Sequence, residues 1–329
     1  MNEPRVGTTN SVEAEEPPAM PESRDSLFQA GQDVWHRLEH LTHRTERTSP
    51  RLMPQEDPRR QVGPPAIELE GLTKRFGGHL AVDNLTLTVR KGDFFGFLGL
   101  NGAGKSTTIR ILSGLLLPTS GKAFVAGLDV TADPQEVKRR IGILPEEITT
   151  YERLTGFELL KFVGRIYGLP EAWIEERSID LFRVLDFTPE DSSRLIVDYS
   201  MGMKKKIALA AALIHNPEIL FLDEPFNGID AVTSRSIRLI LKRAVESGVT
   251  VFFSSHILEV VERLCNRLGI IHNGRLVAYG TLDEIRHANS ASHETRLDDL
   301  FVRLVGGEDP ADSLDWLKFA DEPPPHVLP

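Results

Sequence analysis

Gly99-Leu-Asn-Gly-Ala-Gly-Lys-Ser106 fits the pattern G-x-x-x-x-G-K-[ST], and its flanks decide what it means. Before it runs FFGFLGL, residues 94 to 100, an unbroken apolar stretch that reads as a central strand buried on both faces. After it, a helical stretch is expected from Lys105 to Leu117, stopped by Pro118. A glycine-rich loop between a buried strand and a helix lets backbone N–H groups converge on phosphate, and the helix N-terminus adds partial positive charge. In this setting Lys105 suits the β- and γ-phosphates of a nucleotide, and the Ser106 hydroxyl suits Mg²⁺. The loop from Gly99 to Thr107, with Asn101, Gly102, Ala103 and Gly104 inside it, is therefore the candidate ATP site.

Working outward, AIELEGL and LAVDNLTLTV precede the loop as half-buried strands, and ILFLDEP and VTVFFSSH follow much later as buried ones. GIIHNGRLVAYG reads as a hairpin turning at Asn273-Gly274. Between Ile148 and Leu195 the spacing of Leu159, Leu160, Phe162, Val163 and Ile166 is helical, with almost no strand signal. Strands alternating with helices imply a parallel sheet covered on both faces, and without an internal repeat there is one such unit. In ILFLDE four apolar residues precede two carboxylates, so a buried strand ends at the edge where open α/β sheets bind ligands. Asp223 suits a second contact to Mg²⁺, and Glu224 suits polarisation of an attacking water.

The chain has 329 residues, is 40% hydrophobic and carries a formal net charge of -10. It can bury a full core, and its charge argues against specific nucleic-acid binding, which needs surplus Lys and Arg. Residues 281 to 329 hold 11 acidic and 4 basic residues, so most of the negative charge lies there. The single cysteine, Cys265, excludes an internal disulfide framework and reads as a small buried apolar residue. No secretory leader and no run of about 18 apolar residues is visible, so a membrane path would come from another chain. Residues 1 to 65 are rich in Pro, Glu, Ser, Thr and Arg and read as largely disordered, with a short amphipathic helix open at Leu27, Val34, Leu38 and Leu41. At the other end, residues 291 to 329 read as an amphipathic helix on Leu297, Leu300, Phe301, Leu304 and Val305, then an acidic tail with Trp316, Leu317 and Phe319.

With both phosphate motifs in hand, residues 67 to 305 resemble the ATP-binding subunits of ABC transporters. Tyr199-Ser-Met-Gly-Met203 resembles the signature LSGGQ, with Ser200 and Gly202 matching and Met201 and Met203 departing, in the manner of the export-type branch. Phe76, in TKRFGG, is similar to the aromatic that stacks on adenine. Asp230, after Gly228-Ile229, is similar to the loop through which two subunits touch. His256, in FFSSH, resembles the switch histidine at the γ-phosphate. Glu146, in IGILPEE, stands where the family usually has a glutamine that senses Mg²⁺ and the attacking water; a carboxylate can meet Mg²⁺ but, ionised, cannot donate a hydrogen bond. Lys204 to Lys206 read by default as a solvated charged face.

The resemblance implies an α/β P-loop NTPase cassette at residues 66 to 290, with a mostly parallel RecA-like sheet, an antiparallel β part and a helical subdomain at about 147 to 204. It implies a homodimer or heterodimer around two MgATP, with Ser200 and Gly202 acting on the other subunit's ATP. Catalysis would fall to Glu224, His256 and Glu146, and Mg²⁺ to Ser106, Asp223 and Glu146. Such a subunit would sit in the cytoplasm against the inner face of the membrane and drive a separate permease, for export. Soluble ABC-type ATPases that remodel nucleic-acid or protein complexes are the alternative, favoured by tandem cassettes or a long coiled-coil insertion, neither of which is visible. A P-loop kinase or GTPase would leave YSMGM and SSH unexplained.

Overall fold

Phe94–Leu98 forms β3, and all five residues are buried because the strand has a packed layer on each face. In the computed structural model, which describes residues 65–149, 151–290 and 295–306, side chains alternate between two cores along this strand. Phe94 and Leu98 enter one core; Phe95 and Phe97 enter the other. β7 (Ile219–Asp223) and β8 (Thr250–Ser255) repeat the alternation, with Leu220, Leu222 and Phe253 on the first side and Phe221 and Phe252 on the second. A period of two across a doubly covered sheet produces this division and explains why these strands read as unbroken apolar runs. Rings lock the layers: Phe94 meets Phe253 edge-on at 5.6 Å, and Phe95 stacks on Phe252 at 5.3 Å.

The described residues form two sheets. The larger runs β10-β9-β3-β8-β7-β6, adding β6 (Ile141–Leu144), β9 (Arg267–His272) and β10 (Arg275–Gly280). Its strands pair in parallel except at the β9–β10 hairpin. Asn273 and Gly274 turn that hairpin with φ of 47 and 80, the positive values a tight two-residue turn needs. The smaller, antiparallel sheet runs β2-β1-β4-β5, with β1 at Ile67–Phe76, β2 at His79–Val89, β4 at Ser120–Val125 and β5 at Leu128–Asp129. It covers the Phe95/Phe97 face.

Helix α1 (Lys105–Leu112) follows the glycine loop but stops five residues short of the expected Leu117. Ser113 turns its hydroxyl back onto the Ile109 and Arg110 carbonyls, and Gly114 adopts φ 66, so Leu115 and Leu117 are left exposed. After α2 (Pro134–Arg140) and β6 comes the helical stretch read from the sequence: α3 (Gly156–Ile166), α4 (Glu171–Val184) and the short α5 (Pro189–Ser193). A capping box at Thr155 and Glu158 starts α3. Helix α6 (Met201–Leu213) returns the chain to the sheet and α7 (Ala231–Glu246) links β7 to β8. Then come α8 (Leu258–Leu264), α9 (Leu282–Ala288) and α10 (Leu297–Val305). Helix α10 buries Leu297, Leu300 and Phe301 in the first core and ends on Gly306 in the left-handed conformation. Cys265 packs at that core's edge, where burial pushes its thiol pKa well up. The helix expected near Leu27 and the acidic tail around Trp316 lie outside the described residues, among which no helix is long and apolar enough to cross a membrane.

Candidate functional site

β3, β6, β7 and β8 run parallel, so their carboxyl ends fall on one edge of the sheet. That edge carries the glycine loop after β3, Glu146 after β6, Asp223 and Glu224 at the end of β7 and His256 just past β8. A cleft of about 350 Å³ opens there, lined by Phe76, His79, Ala81, Asn101, Gly102, Gly104, Lys105, Ser106, Thr107, Glu146 and Glu224. Sequence reading placed all but His79 and Ala81 in this site; those two follow Phe76 into β2 and form the wall beside it. Phe76 itself is 46% exposed at the end of β1, with Lys74 Nζ 5.0 Å from its ring centre.

The loop's shape is set by backbone approach. Gly104 has φ 109, and a Cβ there would lie 2.4 Å from the Ala81 carbonyl oxygen, so no other residue fits. The same residue is the N-cap of α1 and has no side chain to satisfy the helix's first N–H groups. The first turn of α1 also holds no acidic residue. Its free amides and dipole are thus left for an anion in the cleft.

Lys105 and Glu224 meet on the cleft floor. Lys105 Nζ donates to the carbonyls of Gly99 (2.8 Å) and Leu100 (3.3 Å) and lies 3.3 Å from Glu224 Oε1. Glu224 is 4% exposed, and its other oxygen, Oε2, accepts from His256 Nδ1 at 2.9 Å. Oε1 is buried and, ion pair with Lys105 aside, accepts no hydrogen bond from the described residues. Glu224 also has φ 49, an uncommon conformation for a residue with a side chain. Such a carboxylate is held in place but not saturated, the state required of a group that must accept a proton or orient a water.

Ser254 is a residue the sequence reading passed over. Its hydroxyl donates to Asp223 Oδ1 at 2.6 Å, and its oxygen accepts the backbone N–H of Glu224 at 3.0 Å. One buried side chain therefore orients both acids. The signal was available: a serine ending a buried apolar strand must find a polar partner, and the neighbouring strand ends in LDE.

Ser200, Gly202 and Asp230 form a separate cluster at the start of α6 and α7. Ser200 is exposed and caps α6 by accepting from the Met203 N–H at 3.3 Å. Gly202 is buried, and a Cβ on it would come 2.9 Å from Thr233 Oγ1, so its missing side chain serves helix packing within this chain. Asp230 caps α7, Oδ1 accepting from the Val232 and Thr233 N–H groups and Oδ2 from the Thr233 hydroxyl; these bonds hold its carboxyl pKa below the usual value. The expected solvated face at Lys204 to Lys206 is corrected here. Lys205 and Lys206 are buried: Lys205 reaches the Glu224 and Asn227 carbonyls, and Lys206 lies over the Phe187 ring. Lys204 pairs with Glu152 at 3.1 Å.

The family described as ABC transporter matches residues 82–227, which hold the glycine loop, Ser200, Gly202 and both acids. The bacitracin transport ATP-binding protein BcrA of Bacillus licheniformis is 39% identical over 251 residues, 76% of this chain and 81% of that one. The chain belongs to the ABC transporter family. The probable multidrug ABC transporter ATP-binding protein YbhF of Escherichia coli (strain K12) is 36% identical over 245 residues, covering 74% of this chain but 42% of that relative's length. Among solved structures, an ATP-binding subunit of an ABC transporter superposes with TM-score 0.69 at 33% identity, over 73% of this chain and 99% of that one. A dimeric bacterial ABC transporter cassette, MJ0796, superposes with TM-score 0.61 at 25% identity, over 66% and 98%. The six-stranded sheet, its antiparallel cover and the helices between β6 and β7 are thus an ABC cassette.

Proposed function

We propose that the chain binds MgATP in this cleft, hydrolyses it with Glu224, and works as one half of a head-to-tail cassette dimer that drives a separate membrane-spanning permease for export. The observation that carries the reading is Glu224 Oε1, a buried carboxylate oxygen that takes no hydrogen bond from the described residues and is ion-paired with the phosphate-loop Lys105 at 3.3 Å. Names of relatives such as the bacitracin transport protein BcrA support export. The dimeric MJ0796 cassette supports pairing. The sequence divides accordingly into residues 66 to 290 as the cassette, with a helical subdomain at about 147 to 204, flanked by extensions. The chain would sit against the inner face of the membrane through the permease.

In the proposed site the first-turn amides of α1, with Asn101, Gly102 and Ala103, cradle the phosphates, Lys105 faces the β- and γ-phosphates, and Phe76 stacks on the base. Thr107 lines the same wall. No group of three or more His, Cys, Asp or Glu among the described residues could hold a metal ion. A cation here must take oxygens from phosphate and water as well, which suits Mg²⁺ with one or two carboxylates. Ser106, Asp223 and Glu146 would hold it, all hard oxygen donors, and when bound it would offset the charge that builds up on the phosphates. Glu224 orients the attacking water, and His256 holds the carboxylate through Oε2 while reaching toward the γ-phosphate. Ser200 and Gly202 present the exposed N-terminus of α6 to the ATP of the second subunit, and Asp230 lies beside that contact.

The test is a mixture of two variants assayed with the permease. Ser200→Arg blocks close approach of the second subunit; Lys105→Ala weakens nucleotide binding. If Ser200 acts across the dimer, a mixed dimer has one doubly defective site and one intact site, and activity absent from either homodimer returns in part. Wild-type turnover by Ser200→Arg alone overturns the arrangement.

A further inference from the structure

Lys205 joins two parts of the molecule that the mechanism keeps in separate composite sites. It lies on α6, whose N-cap is Ser200, yet it is 3% exposed. Its Nζ donates to the carbonyl oxygen of Glu224 at 2.9 Å and to that of Asn227 at 2.6 Å. The Glu224 carbonyl also accepts the Asn227 N–H at 3.2 Å, and the Glu224 N–H is taken by Ser254. Both ends of this left-handed residue are therefore tied, one by β8 and one by α6. Bonds from an ammonium are stronger than those from a neutral donor, which matters for a backbone conformation that costs energy to keep.

The flanking lysines do not share this task, since Lys204 pairs with Glu152 and Lys206 lies over Phe187. Close packing adds to the link. Gly202 abuts Thr233 and Asp230, so the first turn of α6 and the chain from Glu224 to Asp230 are in contact at both ends of the segment. Burial lowers the Lys205 pKa, opposed by the negative charges of Glu224 and Glu146, so this ammonium stands between the acids of the nucleotide site and the helix that starts at Ser200.

We propose that Lys205 is a positioning residue: it sets the direction of the Glu224 carboxylate and transmits the seating of α6 on one ATP to the hydrolytic glutamate serving the other. This rests on the dimer reading given above. The substitution that tests it is Lys205→Met in the full chain, with Lys205→Arg as the conservative control. Lys205→Met should bind a fluorescent ATP analogue as wild type does and keep KM. Its kcat should fall about ten- to a hundredfold, as expected for a misplaced catalytic group, and any Hill coefficient above one should drop toward one. Lys205→Arg should restore most of kcat and the cooperativity.

Unchanged kcat in Lys205→Met overturns the proposal. So does a loss of ATP affinity, thermal midpoint and kcat together that arginine leaves uncorrected, since that is what a purely structural lysine would give. If the methionine variant fails to fold, Lys205→Gln, which is polar but uncharged, carries the same comparison. Glu224→Gln separates the two levels: if that variant hydrolyses ATP normally, the site reading itself fails. If it is inactive while Lys205→Met is fully active, only the role of Lys205 fails.

Discussion

Asp223 and Ser254 face each other across the β7–β8 register, and the serine hydroxyl lies 2.6 Å from Asp223 Oδ1. Because the same oxygen receives the Glu224 N–H, the two acids are oriented by a side chain on the neighbouring strand and not by their own alone.

Ser254→Ala should therefore lower kcat by about ten- to a hundredfold, because Asp223 loses its donor and the Glu224 N–H is left buried without a partner. The fold should lose about 1–3 kcal/mol, the usual cost of an unsatisfied buried group. Steady-state hydrolysis against Mg²⁺ concentration and a urea melt read both effects. An alanine variant with wild-type kcat and an unchanged Mg²⁺ profile would remove Ser254 from the site.

His215 offers a test by pH. Its ring stacks on Tyr167 at 3.7 Å between ring centres, its Nε2 lies 3.0 Å from the Ile141 carbonyl, and its Nδ1 is buried without a partner among the described residues. Burial pushes its pKa below the ordinary 6.5, with the Ile141 carbonyl opposing and the Arg177 charge adding to the fall. The folded state thus binds a proton less readily than the unfolded chain, so stability is present above about 6.5 and is lost as pH falls toward the lower folded value. Thermal midpoints taken from pH 7.5 down to pH 5 should fall more steeply for the wild type than for His215→Phe, which keeps the stack but cannot titrate. Equal slopes would contradict the assignment.

Much of this was legible in the sequence because strong patterns coincided. FFGFLGL is unbroken because β3 is covered on both faces, and G-x-x-x-x-G-K-S follows it because Gly104 must pass the Ala81 carbonyl. The acids of LDE were found because a buried strand must end somewhere, and charge marks where. What escaped depends on contacts between segments distant in sequence. Ser254 owes its role to a neighbour 31 positions away, visible only once β7 and β8 are paired. Lys204 to Lys206 looked like one charged face, but consecutive helical residues point about 100° apart, so three in a row cannot all face water on a helix packed on a sheet. The end of α1 was misread because Pro118 is a strong stop signal, while the earlier break at Ser113 and Gly114 needs the serine's bond back into the helix.

Glu224→Gln tests the central claim most directly. Gln keeps the size and the buried position of the side chain, and Lys105 retains its bonds to Gly99 and Leu100, but the water-orienting charge is gone. ATP turnover and binding of a fluorescent ATP analogue are measured on the same preparation. The prediction is unchanged affinity with turnover lower by about 10²- to 10⁴-fold, and a dimer held closed on MgATP in sedimentation. Turnover at the wild-type rate would contradict the account.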